Sequence, residues 1–208
     1  MDPSELEAVA AHVRPVLDGR FSARETGLTN CRKVIRASAN AIRSLHRDQL
    51  DRAEVLIGEA DQLLREALEA LADHPDILHA GFVSDAAKEF AEAQLTLALF
   101  TDRTLPTADD LGIDPIPYLH GLGEAVGECR RRLLDRLRAG MLDDAESLLT
   151  MMDAIVDLLA DLDYPDGMTN GLRRTTDVSR ALVERSRSDL TATAIQERLR
   201  QDLQRRLD

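Results

Sequence analysis

Between residues 50 and 71 the apolar side chains Leu50, Ala53, Leu56, Ile57, Ala60, Leu63, Leu64, Ala67 and Leu71 recur at helical steps. Such a stripe covers one side of an α-helix and must be buried against other elements. The same period governs nearly the whole chain, and no convincing segment alternates at period two, so the expected fold class is all-α.

Punctuation divides the pattern into seven expected helices. Asp2-Pro3-Ser4-Glu5 joins an N-cap acid to a proline at the first helical position. It opens a helix to about Asp18, before Gly19. Ser22 to Glu25 resembles a capping box, opening a second helix to about Arg47. The Leu50 stripe is the third, stopped by His74-Pro75. A fourth, Asp76 to Asp102, carries Phe90, Ala93, Leu97 and Phe100. Pro106, Gly112, Pro115 and Pro117 mark a loop. The fifth, near Tyr118 to Arg138, presents Leu122, Ala125, Cys129 and Leu133 and stops at Gly140. Leu142, Ala145, Leu149, Met152, Val156 and Leu159 define the sixth. After a Tyr164-Pro165-Asp166-Gly167 turn, the last runs from about Gly171 to Arg205. An up-and-down bundle forming one domain over residues 1–208 is the expected packing.

Charge narrows the function classes. The 208 residues include 38 acids and 26 bases, for a formal net charge of −12, and the lysines are Lys33 and Lys88. Acid excess with almost no lysine suits a protein working in concentrated salt, so a halophilic source is expected. The sign opposes general attraction to nucleic acid, so any such binding requires a segregated basic patch. No apolar run approaches the roughly 20 residues that span a bilayer. The opening residues show no basic-then-apolar pattern, and the expected location is the cytoplasm. Cys31 and Cys129 read as small buried hydrophobes rather than a disulfide framework or metal knuckle.

Two constellations carry chemistry. Glu89 and Glu92 are three apart on the fourth expected helix, and Glu124 and Glu128 are four apart on the fifth, so each pair shares a face. If those faces meet, four carboxylates converge, and like charges that close require a cation or retained protons. All-oxygen ligation favours Mg2+ or Mn2+. Acids are common enough here for about a third of them to have such a neighbour by chance, so solvated acidic faces are the competing reading. His120, one turn before Glu124, is near enough in sequence to join that site or to serve structurally.

The second constellation is basic. Arg32, Arg36, Arg43 and Arg47 lie within about 60° of one another on the second expected helix, with Lys33 and His46 nearby. Aligned guanidinium groups suit a phosphate track, against the alternative of surface ion pairing. Arg173 and Arg174 begin a similar cluster on the last helix. Few aromatics are available for base stacking. A di-iron bundle is disfavoured, because neither acidic pair has a histidine three positions on.

These residues also resemble a known family. Arg32-Lys33-Val34-Ile35-Arg36 through Ala41-Ile42-Arg43-Ser44-Leu45-His46-Arg47 looks like the second helix of the translin superfamily. Glu89-Phe90-Ala91-Glu92-Ala93, Tyr118-Leu119-His120-Gly121 through Gly127-Glu128, Asp163-Tyr164-Pro165 and Gly171-Leu172-Arg173-Arg174 follow in the family's order. The resemblance implies a homo-oligomeric hollow shell, an octamer or hexamer, that takes single-stranded RNA or DNA inside, and it suits an archaeal member. It also implies a metal-dependent endoribonuclease site at Glu89, Glu92, Glu124 and Glu128. Glu92 and Glu128 would bind the ion, while Glu89 and Glu124 complete its shell or orient water. Glu124 stands where the family usually has aspartate, one methylene shorter. On this reading Arg32, Lys33, Arg36, Arg43, His46, Arg47, Arg173 and Arg174 hold nucleic acid. The alternative is a noncatalytic single-stranded nucleic-acid binder of the translin type.

Overall fold

The computed structural model describes residues 3–207, so the Asp2 cap lies outside the described residues. Nine helices appear among them and no strand: α1 (Pro3–Leu45), α2 (Leu50–Leu71), α3 (Pro75–Leu78), α4 (Gly81–Phe100), α5 (Ala108–Leu111), α6 (Pro115–Arg138), α7 (Leu142–Asp161), α8 (Asp166–Thr169) and α9 (Leu172–Leu207). The all-α class is therefore as expected, while several boundaries differ.

The first two expected helices are one continuous rod, α1. Gly19 does not take the left-handed conformation that would end a helix, unlike Gly112, Gly140 and Gly171. A glycine inside a helix costs only about 1 kcal/mol relative to alanine, so α1 runs on through it, and through Pro15. The fourth expected helix is instead split. Ala80, in extended conformation, separates one-turn α3 from α4, which ends at Phe100 with Asp102 at positive φ. Within the expected loop, Thr107 and Asp110 form a reciprocal capping box that starts α5. Asp114 caps α6 through the Ile116 amide, placing Pro115 and Pro117 inside the first helical turn. The Tyr164 turn continues into α8, and left-handed Asn170 and Gly171 delay α9 to Leu172.

Contacts fix the helix directions. Asn30 donates to Glu66 at 3.5 Å, near where Gly27 abuts Leu71, so α1 and α2 are antiparallel. Lys88 meets Glu124 early in α4 and α6, and Arg132 lies over the Phe100 ring at 4.4 Å late in both. These two helices therefore run the same way, interrupting the up-and-down order at the 101–114 crossover. The Tyr118 hydroxyl pins that crossover by donating to Pro106 O at 2.8 Å. His120 with Thr175 and Arg130 with Asp189 align α9 with α6.

Two apolar clusters fill the interior. One joins α1, α2 and α4 around Val34, Leu64, Leu71 and Phe90. The other joins α4, α6, α7 and α9 around Leu95, Val126, Leu133 and Met152. Helix α4 contributes to both, and Phe90, Ala91, Glu92 and Ala93 are four successive buried residues. A helix covered all round must bury whatever its sequence places there, and here that includes a carboxylate. Cys31 and Cys129 are buried free thiols, one in each cluster. Burial pushes them up to about 11 and, with help from the Glu128 charge, about 12, so both remain protonated packing groups.

Candidate functional site

Helices α4 and α6 can bring carboxylates together because Gly121 has no side chain. A Cβ there would lie 2.8 Å from the Lys88 carbonyl oxygen and 2.9 Å from the Glu92 nitrogen. The backbones thus touch at the level of Glu89 and Glu92, and Glu124, one turn along α6, points into the same space. Glu89, Glu92 and Glu124 each offer an oxygen within 4.8 Å of the others. Opposite ligands about an ion with bonds of about 2.1 Å stand roughly 4.2 Å apart, so a trio this close could hold one metal ion. The donor set is oxygen only, which suits hard cations.

Burial sets the electrostatics. Glu92 is 9% exposed, and its carboxyl is pushed up to about 8, chiefly by loss of water and then by the charges of Glu124, Glu89 and Glu128. At neutral pH, without a further cation, it holds its proton. Lys88 donates to both oxygens of Glu124 at 2.7 Å and its Nζ lies 3.1 Å from Glu89. Desolvation is the largest single influence on this ammonium and favours losing its proton, yet the bonds and charges of Glu124 and Glu89 outweigh it in sum. Its pKa is raised.

The fourth expected carboxylate sits apart. Glu128 is close enough for its charge to act on Glu92, but its Oε2 is paired with His46 Nε2. The His46 side chain is turned inward, 4% exposed, and packs edge-on to Phe100 with centroids 5.3 Å apart. His46 therefore positions Glu128 instead of joining the outward arginine face. His120 is remote from the trio in its bonding: Nδ1 pairs with Thr175 Oγ1 at 2.8 Å and Nε2 with Thr169 O at 3.0 Å. The carbonyl accepts, so Nε2 carries the hydrogen and Nδ1 accepts from the hydroxyl.

Arg32, Lys33, Arg36 and Arg43 are all exposed on α1, away from buried Val34, Ala41 and Leu45, and Arg47 is exposed in the turn just past its end. Among the described residues, Arg32, Lys33, Arg36 and Arg47 make no ion pair, and Arg43 donates to Asn40. Many other arginines are engaged, as in Arg103 with Glu54 and Arg187 with Asp153. The α1 row is thus a line of uncommitted positive charge ending beside His46. On α9, Arg173 is taken by Asp163 at 2.9 Å, while Arg174 borders a groove with Glu92, Glu124, Thr175 and Ser179.

Lys88 and Gly121 are positions that shape the candidate site and that sequence reasoning missed. Lys88 is signalled by being one of two lysines, directly before the acid pair. Gly121 is signalled by company: Gly121, Gly123 and Gly127 all lie within α6, where interior glycines are costly unless another backbone comes close.

No protein-family model matches the chain. An uncharacterized protein of Methanocaldococcus jannaschii is 29% identical over 191 residues, spanning 91% of this chain and 84% of that one. Among solved structures, AfC3PO in complex with duplex RNA aligns with a TM-score of 0.83 at 30% identity, covering 89% of this chain and 96% of its own. AfC3PO alone gives 0.82 with the same identity and coverage. Apo-NeC3PO gives 0.78 at 18% identity over 93% and 98%, a likeness of fold alone. Both are proteins of the C3PO/translin family.

Proposed function

We propose that this chain, which belongs to the translin superfamily, binds single-stranded RNA and cleaves it as a divalent-metal-dependent endoribonuclease within a homo-oligomeric shell. The observation that carries this reading is the convergence of Glu89, Glu92 and Glu124, with Glu92 buried and lacking its own cation. Those three residues would hold Mg2+ or Mn2+. When bound, the ion supplies a water of lowered pKa and charge stabilisation at the phosphoryl oxygen.

The chain's own residues do the rest. Lys88 holds Glu124 and Glu89 in fixed orientations. His46 holds Glu128 beside the trio, where its carboxylate takes up the proton of an attacking water. Arg36 and Arg43 grip backbone phosphates along α1, Arg47 does so just past its end, and Arg174 does so from the α9 side. Such contacts select for phosphate spacing more than for base identity. The first turns of α1 carry Leu6, Val9, Val13, Val16, Leu17 and Phe21, all exposed, and this uncovered stripe supports assembly with further copies. Enclosure within such a shell would let an acidic protein keep its arginine row facing RNA.

The test is cleavage of labelled RNA by wild type and Glu92→Ala, with Mg2+, Mn2+ or chelator, in high potassium chloride. Metal-dependent cutting that vanishes in the variant supports the enzyme. RNA that is bound but never cut would refute cleavage and favour the noncatalytic binder. Because AfC3PO was solved with duplex RNA, both strand states belong in the assay.

A further inference from the structure

The carboxylate trio contains a cation of its own. Lys88 Nζ lies 2.7 Å from both oxygens of Glu124 and 3.1 Å from Glu89, so it occupies the space between two of the three carboxylates. Glu92 is the member of the trio with no direct bond to this ammonium. Three carboxylates beside one lysine carry a formal charge of −2, which a single divalent ion balances. Two divalent ions at a shared site sit about 3.5–4 Å apart and need ligands on both sides of each. Here the second such place, between Glu124 and Glu89, is filled by ammonium.

The choice of residue supports this assignment. Arginine is the basic residue of this chain almost everywhere, yet a lysine stands here. A guanidinium is a planar fork that clamps a carboxylate in bidentate fashion, whereas an ammonium is a compact point charge with three donors. The compact group divides itself between Glu124 and Glu89 and makes no direct bond to Glu92. Gly121 sets the spacing that makes this possible, since a Cβ there would lie 2.8 Å from the Lys88 carbonyl oxygen and push α6, with Glu124, away from Lys88.

We infer that Lys88 is a tethered counter-ion that takes the place of a second metal, making the trio a single-ion site centred on Glu92. The inference rests on the metal site proposed above and adds the ion count and the residue that sets it. Lys88 is accordingly a positioning residue: it fixes Glu124 and Glu89 and excludes a second ion.

The experiment is a titration of metal-free protein with manganese chloride, read by calorimetry and by the electron paramagnetic resonance of free and bound Mn2+. Wild type is expected to take one Mn2+ per chain. Lys88→Met, close in length and uncharged, is expected to take two, with spectral broadening from neighbouring ions. Lys88→Arg, which retains the charge, is expected to take one at most. Two ions in wild type would overturn the inference whatever the variants do, and one ion with unchanged affinity in both wild type and Lys88→Met would overturn it while leaving the metal site standing. No Mn2+ bound to wild type would overturn the metal site and the inference together.

Discussion

A buried acid that must lose its proton to work should weaken the fold that holds it, and Glu92 offers a direct test. Its carboxyl titrates near 8 in the folded chain, against about 4.5 for an ordinary glutamate. Between these values the folded state binds one more proton than the unfolded state. Stability contributed by the protonated carboxyl is therefore complete below about pH 4.5 and is lost as pH rises toward 8, at about 1.4 kcal/mol per unit. At pH 8 the accumulated loss is about 4 kcal/mol. Glu92→Gln, a neutral side chain of the same shape, escapes it.

In chelator at pH 8, Glu92→Gln should thus melt roughly 10 °C above wild type, since about 1 kcal/mol moves the midpoint by some 2–4 °C for a chain of this size. At pH 5 the gap should shrink to about 1 kcal/mol. Added Mn2+ should narrow the gap at pH 8 to about 1 kcal/mol, because an ion bound to the folded state alone stabilises it by about 2.7 kcal/mol at one hundred times its dissociation constant, and Glu92→Gln lacks the ligand to gain this. Scanning calorimetry at the two pH values, with and without metal, reads all four quantities. A Glu92→Gln variant no more stable than wild type in chelator at pH 8 would refute the reasoning.

Other outcomes follow from the same geometry. Gly121→Ala forces a methyl group against the Lys88 carbonyl and the Glu92 amide; it should destabilise by about 1–3 kcal/mol in urea unfolding and weaken Mn2+ binding together. Arg36→Ala with Arg47→Ala should lower affinity for single-stranded RNA and flatten its logarithmic salt dependence by about 0.7 for each phosphate no longer neutralised, measured by fluorescence anisotropy, with helical circular dichroism unchanged. Thr96 has a buried hydroxyl without a hydrogen-bond partner, so Thr96→Val should gain about 1 kcal/mol in the same unfolding assay. Val13→Asp with Leu17→Asp should reduce the assembled mass seen by light scattering while leaving the helical spectrum intact.

How far the sequence carried depended on whether a feature was local. The apolar stripe of α2 and the stop at Gly140 depend on residues within a turn or two, and both were legible. Gly19 misled because a glycine ends a helix only where the chain turns left-handed. Along the early part of α1, almost wholly exposed, no packing against another helix imposes that turn. The crossover that sets α4 and α6 in one direction was invisible, since its evidence is a pairing of Phe100 with Arg132 across two helices.

The site divides in the same manner. Paired spacing announced that Glu89 and Glu92 share a face, but not that Glu92 would be buried, which follows from α4 serving both apolar clusters. It grouped Glu128 with Glu124, and the structure separates them because His46, reached 82 residues away along the chain, takes Glu128 for itself. Lys88 was readable as an oddity of composition and acquired meaning only when α6 brought Glu124 to it. The carboxylates were thus nameable from helical period alone, whereas their protonation, their counter-ion and their division into a trio and a histidine-held fourth arise from contacts between elements: the burial of α4 in both clusters, the Gly121 contact that brings α6 to Lys88, and the reach of His46 to Glu128.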